Sequence, residues 1–369
     1  MDRRESERLL RAVREARAAG EPAALATVVR VRGSAYRREG TQMFVRRDST
    51  YECALSGGCL EPAVADAAAR VIATGTPVVV SYDLADDSIW GLGIGCSGAV
   101  DIHIERLSDD EVTNEWLRIL EAGEAAVQVT RLTGAAGRLV VRPNGALGSL
   151  GDGAIDDEAI ARARERLRTD NSQSSAERID GADLFFLVAS RPPQLAIFGA
   201  GHDAEPMARL AWTLGFDVTV IDVRESFLSR ERFPGATLVV AHFSRFADTV
   251  RLGPETFALV MNHHVERDRE TLRFCLDSAA RCIGVLGPRP RYEKLMAALA
   301  ADGFLPDPAA LARVRSPVGL ALGAETPDEV AVSVLAEIVA LCRGFDGGFL
   351  NGSVGSLHRL EEKSVFARS

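Results

Sequence analysis

Two cysteines in this chain stand in glycine-rich frames, where a thiol is able to do chemistry that a packed thiol cannot. The first frame is Ser56-Gly57-Gly58-Cys59-Leu60-Glu61, immediately ahead of a helical pattern. A cysteine there feels the positive end of the helix dipole, which lowers a thiol pKa and favours the thiolate. Gly57 and Gly58 are able to present backbone N–H groups as an anion nest. The second frame is Gly91-Leu92-Gly93-Ile94-Gly95-Cys96-Ser97-Gly98. Its glycines, Gly95 beside Cys96 among them, let backbone approach a flat or phosphorylated ligand closely. Each frame alone also reads as a turn around a small packing residue. Cys53, Cys275, Cys282 and Cys342 lie among apolar neighbours and read as packing residues.

A third site for chemistry lies in residues 195–222, LAIFGAGHDAEPMARLAWTLGFDVTVID. This is a strand, a glycine turn, a helix, a second strand and an acid, in the order of a dinucleotide-binding unit. Gly199 allows the tight turn, Gly201 lets backbone come near a phosphate with His202 beside it, and Ala204 lets the helix pack on the strand. Gly215 sits where a helix C-terminus favours a left-handed residue. Asp222 is placed to accept from a ribose hydroxyl, while Arg224 offers charge to a phosphate. Asp203 and Glu205 oppose a phosphate; they read as a cap and a complement to the helix dipole.

The rest of the chain must position these residues. At 369 residues it suggests two domains, and 47% hydrophobic content suits ordinary cores. A formal charge of −9 argues against a nucleic-acid surface. The first twenty residues form a charged amphipathic helix pattern without a signal-peptide core, and no apolar run reaches membrane-spanning length. The cysteines show no CxxC and no metal-finger spacing, so neither a disulfide framework nor a structural zinc is expected. These features imply a soluble cytoplasmic protein.

The fold class is α/β: an amino-terminal α+β domain over residues 1–190, a Rossmann-like parallel-sheet domain over 191–344, and a loose Gly/Ser-rich tail over 345–369. The Arg191-Pro192-Pro193 connection marks the boundary, because proline stiffens the chain and stops strand pairing. Helices are expected over residues 6–19, 61–73 and 159–167. Strands are expected over 24–31, 43–46, 77–82, 100–105, 126–131, 138–142 and 184–189. Residues 170–177 read as a polar loop. Beyond the fingerprint, strands are expected over 237–241, 257–262 and 282–287, and a helix over 266–279. Thr326-Pro327-Asp328-Glu329 opens the last helix as a capping box with proline at its first position.

The run Gly33-Ser34-Ala35-Tyr36-Arg37-Arg38-Glu39-Gly40-Thr41-Gln42-Met43, followed by SGGCLE and GLGIGCSG, resembles the XdhC/CoxI family. The carboxy-terminal half agrees through LAIFGAGHDA, Val260 to His264, Ile283-Gly284-Val285-Leu286-Gly287 and Pro317-Val318-Gly319-Leu320. The resemblance implies an accessory protein, without turnover of its own, for molybdenum hydroxylases such as xanthine dehydrogenase. Such a protein binds the molybdenum cofactor, a phosphorylated pterin dithiolene, assists a cysteine desulfurase in its sulfuration and delivers it to the apo-enzyme. A homodimer is the form the family suggests. The pterin's charge would be met by Gly57, Gly58, Gly93 to Gly98, Arg37 and Arg38, and the soft metal by Cys59 and Cys96. His263 matches the family histidine just past a strand end, where this fold places ligands. Tyr36, Asp203, the Met261-Asn262-His263-His264 segment and Pro288 depart from the family pattern. The other reading is an NAD(P)-dependent oxidoreductase built on Gly199, Gly201 and Asp222. No Tyr-x-x-x-Lys pair supports it. Arg289 and Arg291 follow another strand end, where they either reach a phosphate or begin a solvated helix.

Overall fold

Leu9, Leu10, Val13 and Ala16 recur at helical spacing and are all buried, which makes the amino-terminal segment the amphipathic helix α1 (Arg3–Ala18). The computed structural model describes residues 3–33, 35–83, 98–134, 136–168 and 173–352. The chain divides into two units, Met1–Arg191 and Pro192–Ser369.

In the first unit, β1 (Ala23–Gly33), β2 (Gln42–Arg46), β3 (Tyr51–Glu52), β4 (Val78–Asp83) and β5 (Gly98–Arg106) form an antiparallel sheet ordered β3-β2-β1-β5-β4. Helix α2 (Glu61–Thr74) lays Val64, Ala67, Ala68 and Val71 on Ala26, Val28, Ile102 and Ile104. After α3 (Glu111–Ala122) come β6 (Ala126–Arg131), β7 (Arg138–Arg142), β8 (Gly145–Ser149), α4 (Gly153–Arg168), β9 (Ser175–Ile179) and β10 (Ala182–Ala189). These strands form a second antiparallel sheet, β8-β7-β6-β10-β9, with α4 on one face. Val29 of the first sheet meets Val140, Phe185 and Leu187 of the second, with Trp116 and Ile119 of α3. The two sheets therefore share one core.

The segment expected as a polar loop is partly strand: Ser175–Ile179 pairs with β10, Ile179 opposite Ala182. The cause is the two-residue turn Asp180-Gly181, whose φ angles are 45° and 80°. An Asp-Gly pair in that conformation closes a hairpin and imposes pairing on polar neighbours. Helix α3 also lay outside the expectation, although Asp110 caps it by accepting from the Thr113 amide at 2.7 Å.

Polar groups lie between the sheets as well. His103 is buried, and its burial lowers the imidazole pKa from 6.5 against the pull of Glu105, with Arg138 adding to the lowering. Arg138 also pairs with Glu105, tying β7 to β5. Because the folded pKa is depressed, the unfolded chain takes the proton first, so stability is full above the unfolded value and falls as pH drops through the folded one. Denaturant midpoints between about pH 7.5 and 5 should fall with acidification, and His103→Gln should flatten that slope. An unchanged slope would remove His103 as its source.

The second unit is a parallel sheet of β11 (Gln194–Phe198), β12 (Asp217–Asp222), β13 (Thr237–Val240), β14 (Thr256–Val260), β15 (Cys282–Val285) and β16 (Val314–Arg315), ordered β13-β12-β11-β14-β15-β16. This is the doubly wound order, reversing direction between β11 and β14, where such folds bind ligands. Its helices are α5 (Ala204–Thr213), the short α6 (Phe246–Thr249), α7 (Val265–Leu276), α8 (Arg289–Ala301), α9 (Pro308–Ala312) and α10 (Pro327–Arg343). The capping box at Thr326 and Glu329 forms. Gly215 takes φ 87° just past α5. Tail residues 353–369 lie outside the described residues. Among the described residues, no helix is long and apolar enough to cross a membrane.

Candidate functional site

Three sequence-distant loops leave the same end of the first sheet. β1 finishes at Gly33 opposite Gly98, β2 begins at Gln42, and β4 finishes at Asp83 opposite Ala99. β3 runs alongside β2 in the direction of β1 and feeds residues 53–60 toward that end. The basic loop, the Cys59 loop and the ends of the Cys96 loop are thus gathered by topology. Gly95 and Cys96 themselves lie outside the described residues.

The Cys59 loop is built around a carboxylate. Glu61, 1% exposed at the first position of α2, accepts from the amides of Leu55 at 3.0 Å and Ser56 at 2.7 Å and from the Ser56 hydroxyl at 2.5 Å. Burial pushes this carboxyl up, but the Ser56 hydroxyl and the amides of Ser56, Glu61 and Leu55 outweigh it and bring its pKa below the usual value. The Ser56 oxygen in turn accepts from the amides of Gly58 at 3.2 Å and Leu60 at 3.1 Å. The Cys59 sulfur lies 3.4 Å from it. The Gly58 amide is therefore spent inside the loop instead of opening outward as a nest.

Gly58 needs glycine for its φ of 111°. Gly57 does not: its φ is not left-handed, and no described residue lies within 4 Å of where a Cβ would stand. No described residue of the unit explains glycine there, whereas close approach of an outside ligand would. Cys59 is half-buried against the α2 core. Cys53, Cys275 and Cys282 are buried, and Cys342 is half-buried. Burial raises their thiol pKa values, that of Cys282 to about 11.

Arg37 and Arg38 are half-buried in the basic loop. Arg37 pairs with Glu5 of α1, so part of its charge is answered within the unit. Sequence reasoning missed Arg30, Arg32 and Asp101. A bulge at Val28/Arg30 shifts the register and turns Arg30 and Arg32 toward Asp101. Arg32 grips Asp101 with two contacts of 2.8 Å, and Ser81 donates at 2.6 Å. The Arg32 guanidinium holds this buried carboxyl below its ordinary pKa.

In the second unit the dinucleotide fingerprint is turned inward. A Cβ on Gly199 would stand 2.5 Å from the Met261 carbonyl oxygen, so glycine serves the packing of the turn against the β14 end. Asp222 is 3% exposed and accepts from the Ala200 amide at 2.8 Å. Its two oxygens are also gripped by Arg224, through Nε at 2.9 Å and Nη2 at 2.7 Å. Burial pushes this carboxyl up, but Arg224 and the Ala200 amide more than compensate and its pKa falls. Arg224 is stacked 3.8 Å over Phe227. On the turn's other side, Arg232 binds Glu205 at 2.6 Å and the carbonyls of Ala200 at 3.0 Å and Gly201 at 3.3 Å. Asp222, the Ala200 amide, Arg224 and Arg232 are thus all engaged within the turn.

Asp203 stands at the start of α5 but makes no side-chain cap; its carboxylate reaches His263 at 2.6 Å. His202 is exposed, 3.4 Å from Glu205. Arg291 pairs with buried Asp268 at the start of α8. Arg289 donates to the Ser316 carbonyl at 3.2 Å. Among the described residues, no three His, Cys, Asp or Glu side chains form a metal cage. The predicted residues thus fall into two sets: Arg37, Arg38, Gly57, Gly58 and Cys59 in the first unit, and Gly199, Gly201, His202, Asp222 and His263 in the second.

An antiparallel α+β unit with a gathered cysteine–glycine end, followed by a Rossmann-type unit, defines the class of protein. Residues 16–83 match the XdhC and CoxI family, and residues 195–338 match the XdhC Rossmann domain. The chain is 33% identical over 327 residues to a Bacillus subtilis (strain 168) protein named as a probable xanthine dehydrogenase subunit, covering 86% of this chain and 93% of that relative. It is 24% identical to the molybdenum cofactor insertion chaperone PaoD of Escherichia coli (strain K12), covering 90% of this chain and 87% of that protein. The crystal structure of a xanthine dehydrogenase from Bacillus halodurans superposes with a TM-score of 0.74 at 30% identity, covering 91% of this chain and 96% of that one. The chain belongs to the XdhC/CoxI family.

Proposed function

We propose that this protein is an accessory chaperone that binds the molybdenum cofactor, assists its sulfuration by a cysteine desulfurase, and inserts it into a molybdenum hydroxylase of the xanthine dehydrogenase type. The observation that carries the reading is the Cys59 loop. It holds a half-buried thiol beside Gly57, a glycine that no described neighbour requires, at the sheet end that also bears Arg37, Arg38 and the flanks of the Cys96 segment. The relatives named as a molybdenum cofactor insertion chaperone and as part of a xanthine dehydrogenase support it from a separate direction. In this reading Cys59 and Cys96 meet the metal end of the cargo and the arginines its phosphate.

The test is co-expression with cofactor biosynthesis, followed by assay of pterin and molybdenum in the purified full chain. Wild type should carry both, and Cys59→Ala/Cys96→Ala should retain several-fold less. Equal loading would remove the cysteines from the site, and no loading of the wild type would overturn the chaperone reading. The oxidoreductase alternative predicts saturable binding of NAD or NADH with turnover. With Asp222 and Arg232 committed to the turn, calorimetry should show no saturable binding.

A further inference from the structure

In the crevice between β11 and β14, where this fold class seats a diphosphate, the chain places a carboxylate and an imidazole beside the glycine turn. The Ala200 amide is taken by Asp222, and Arg232 is spent on Glu205 and the Ala200 and Gly201 carbonyls. Exposed there with His202 is the imidazole of His263, its side chain 59% exposed, bonded through Nε2 to Asp203, whose side chain is 19% exposed. His263 holds φ at 57°, a left-handed angle that histidine, asparagine and aspartate adopt more readily than other side chains. Gly201 leaves the space for the pair: a Cβ there would lie 2.7 Å from Asp203 Oδ1 and 3.6 Å from the His263 ring. Asp203 and His263 are sixty residues apart in the chain, so the fold and not a local pattern brings them together.

We propose that Asp203 and His263 form a proton-accepting dyad that takes an uncharged hydrogen-donating edge of a ligand, not a phosphate. The carboxylate accepts from Nε2–H and so fixes the neutral tautomer, which leaves Nδ1 as a lone pair. Nδ1 has no hydrogen-bond partner among the described residues. It accepts a hydrogen bond from an N–H or O–H of the ligand. Where that group ionises, the proton moves to Nδ1 and the resulting imidazolium is stabilised by Asp203. A phosphate would instead face the Asp203 and Glu205 carboxylates. Identifying the donating edge as the amino-lactam of a pterin rests on the proposed function; the tautomer and the exclusion of phosphate do not.

The experiment is nitrogen NMR of the full chain labelled with 15N-histidine, with His263→Asn to assign the resonances, since asparagine tolerates the same φ. In the uncharged ring the His263 Nδ1 should show the shift of an unprotonated nitrogen and Nε2 that of a protonated one. Asp203→Asn, and independently Gly201→Ala, should average the two tautomers and move that resonance. Adding 2-amino-4-oxopteridine should shift Nδ1 saturably in wild type but not in Asp203→Asn, and inorganic pyrophosphate should leave it in place. An uncharged ring with its proton on Nδ1, or a saturable response to pyrophosphate, overturns the dyad whatever the cargo. The expected tautomer without a response to the pteridine overturns the ligand assigned to it. Failure of the chaperone reading shows separately, as wild-type protein purified without pterin or molybdenum.

Discussion

Asp222→Ala is expected to destabilise the second unit by about 3 kcal/mol, because a buried carboxylate that organises its surroundings is lost along with its charge-assisted bonds. The substitution leaves the buried Ala200 amide without its acceptor and releases Arg224 from a two-point grip. Arg224 is 37% exposed and regains water, so most of the loss falls on the turn. Hydrogen exchange should therefore quicken first in peptides covering residues 195–205, ahead of the rest of the sheet. Asp222→Asn keeps one acceptor for Ala200 and should lose roughly half as much. In a dinucleotide enzyme the same change would chiefly lower cofactor affinity. Protection of the turn left intact in Asp222→Ala would show that the carboxylate is not the strut of the turn.

The fingerprint was legible because it is local: an apolar strand, glycines at fixed spacing, a helical apolar face and an acid lie within one short segment, and each step obeys a spacing rule. The role of its acid was not legible. Asp222 reads as a ribose ligand by position, yet the position is filled by Arg224, two residues on, and by Arg232, whose approach to Ala200 depends on the path after β12. Arg32 and Asp101 were hidden for a related reason. In plain strand alternation Arg30 and Arg32 lie on the face of Val28, and only the bulge turns them to the carboxylate. The Asp203–His263 contact joins a turn to the end of a strand, so no local pattern carries it. The Ser175–Ile179 strand was within reach, since Asp180-Gly181 is a strong hairpin signal, but the polar run in front of it masked the pairing.

The same device supports the other glycine loop, and Glu61→Ala should expose how much the thiol depends on it. The substitution removes one acceptor from three buried or part-buried donors, the Leu55 and Ser56 amides and the Ser56 hydroxyl, at a cost of about 2 to 4 kcal/mol. The hydroxyl then turns to the amides without an anchor, so the Gly58 and Leu60 bonds and the Cys59 contact loosen with it. Alkylation of Cys59 by iodoacetamide, followed by peptide mapping of the full chain, should be several-fold faster in Glu61→Ala, and the unfolding midpoint should fall. Glu61→Gln separates charge from shape: its oxygen still serves the amides, but its NH2 faces the Ser56 hydroxyl and it no longer complements the positive end of α2. Its loss should be intermediate. The carboxylate also sets the acid limit of the loop. Its folded pKa lies below the ordinary 4.5, so its contribution is full above that value and disappears as pH falls through the folded one. A Cys59 reactivity that did not change in either variant would mean that the loop is held by the core beneath it, and that Glu61 serves only the start of the helix.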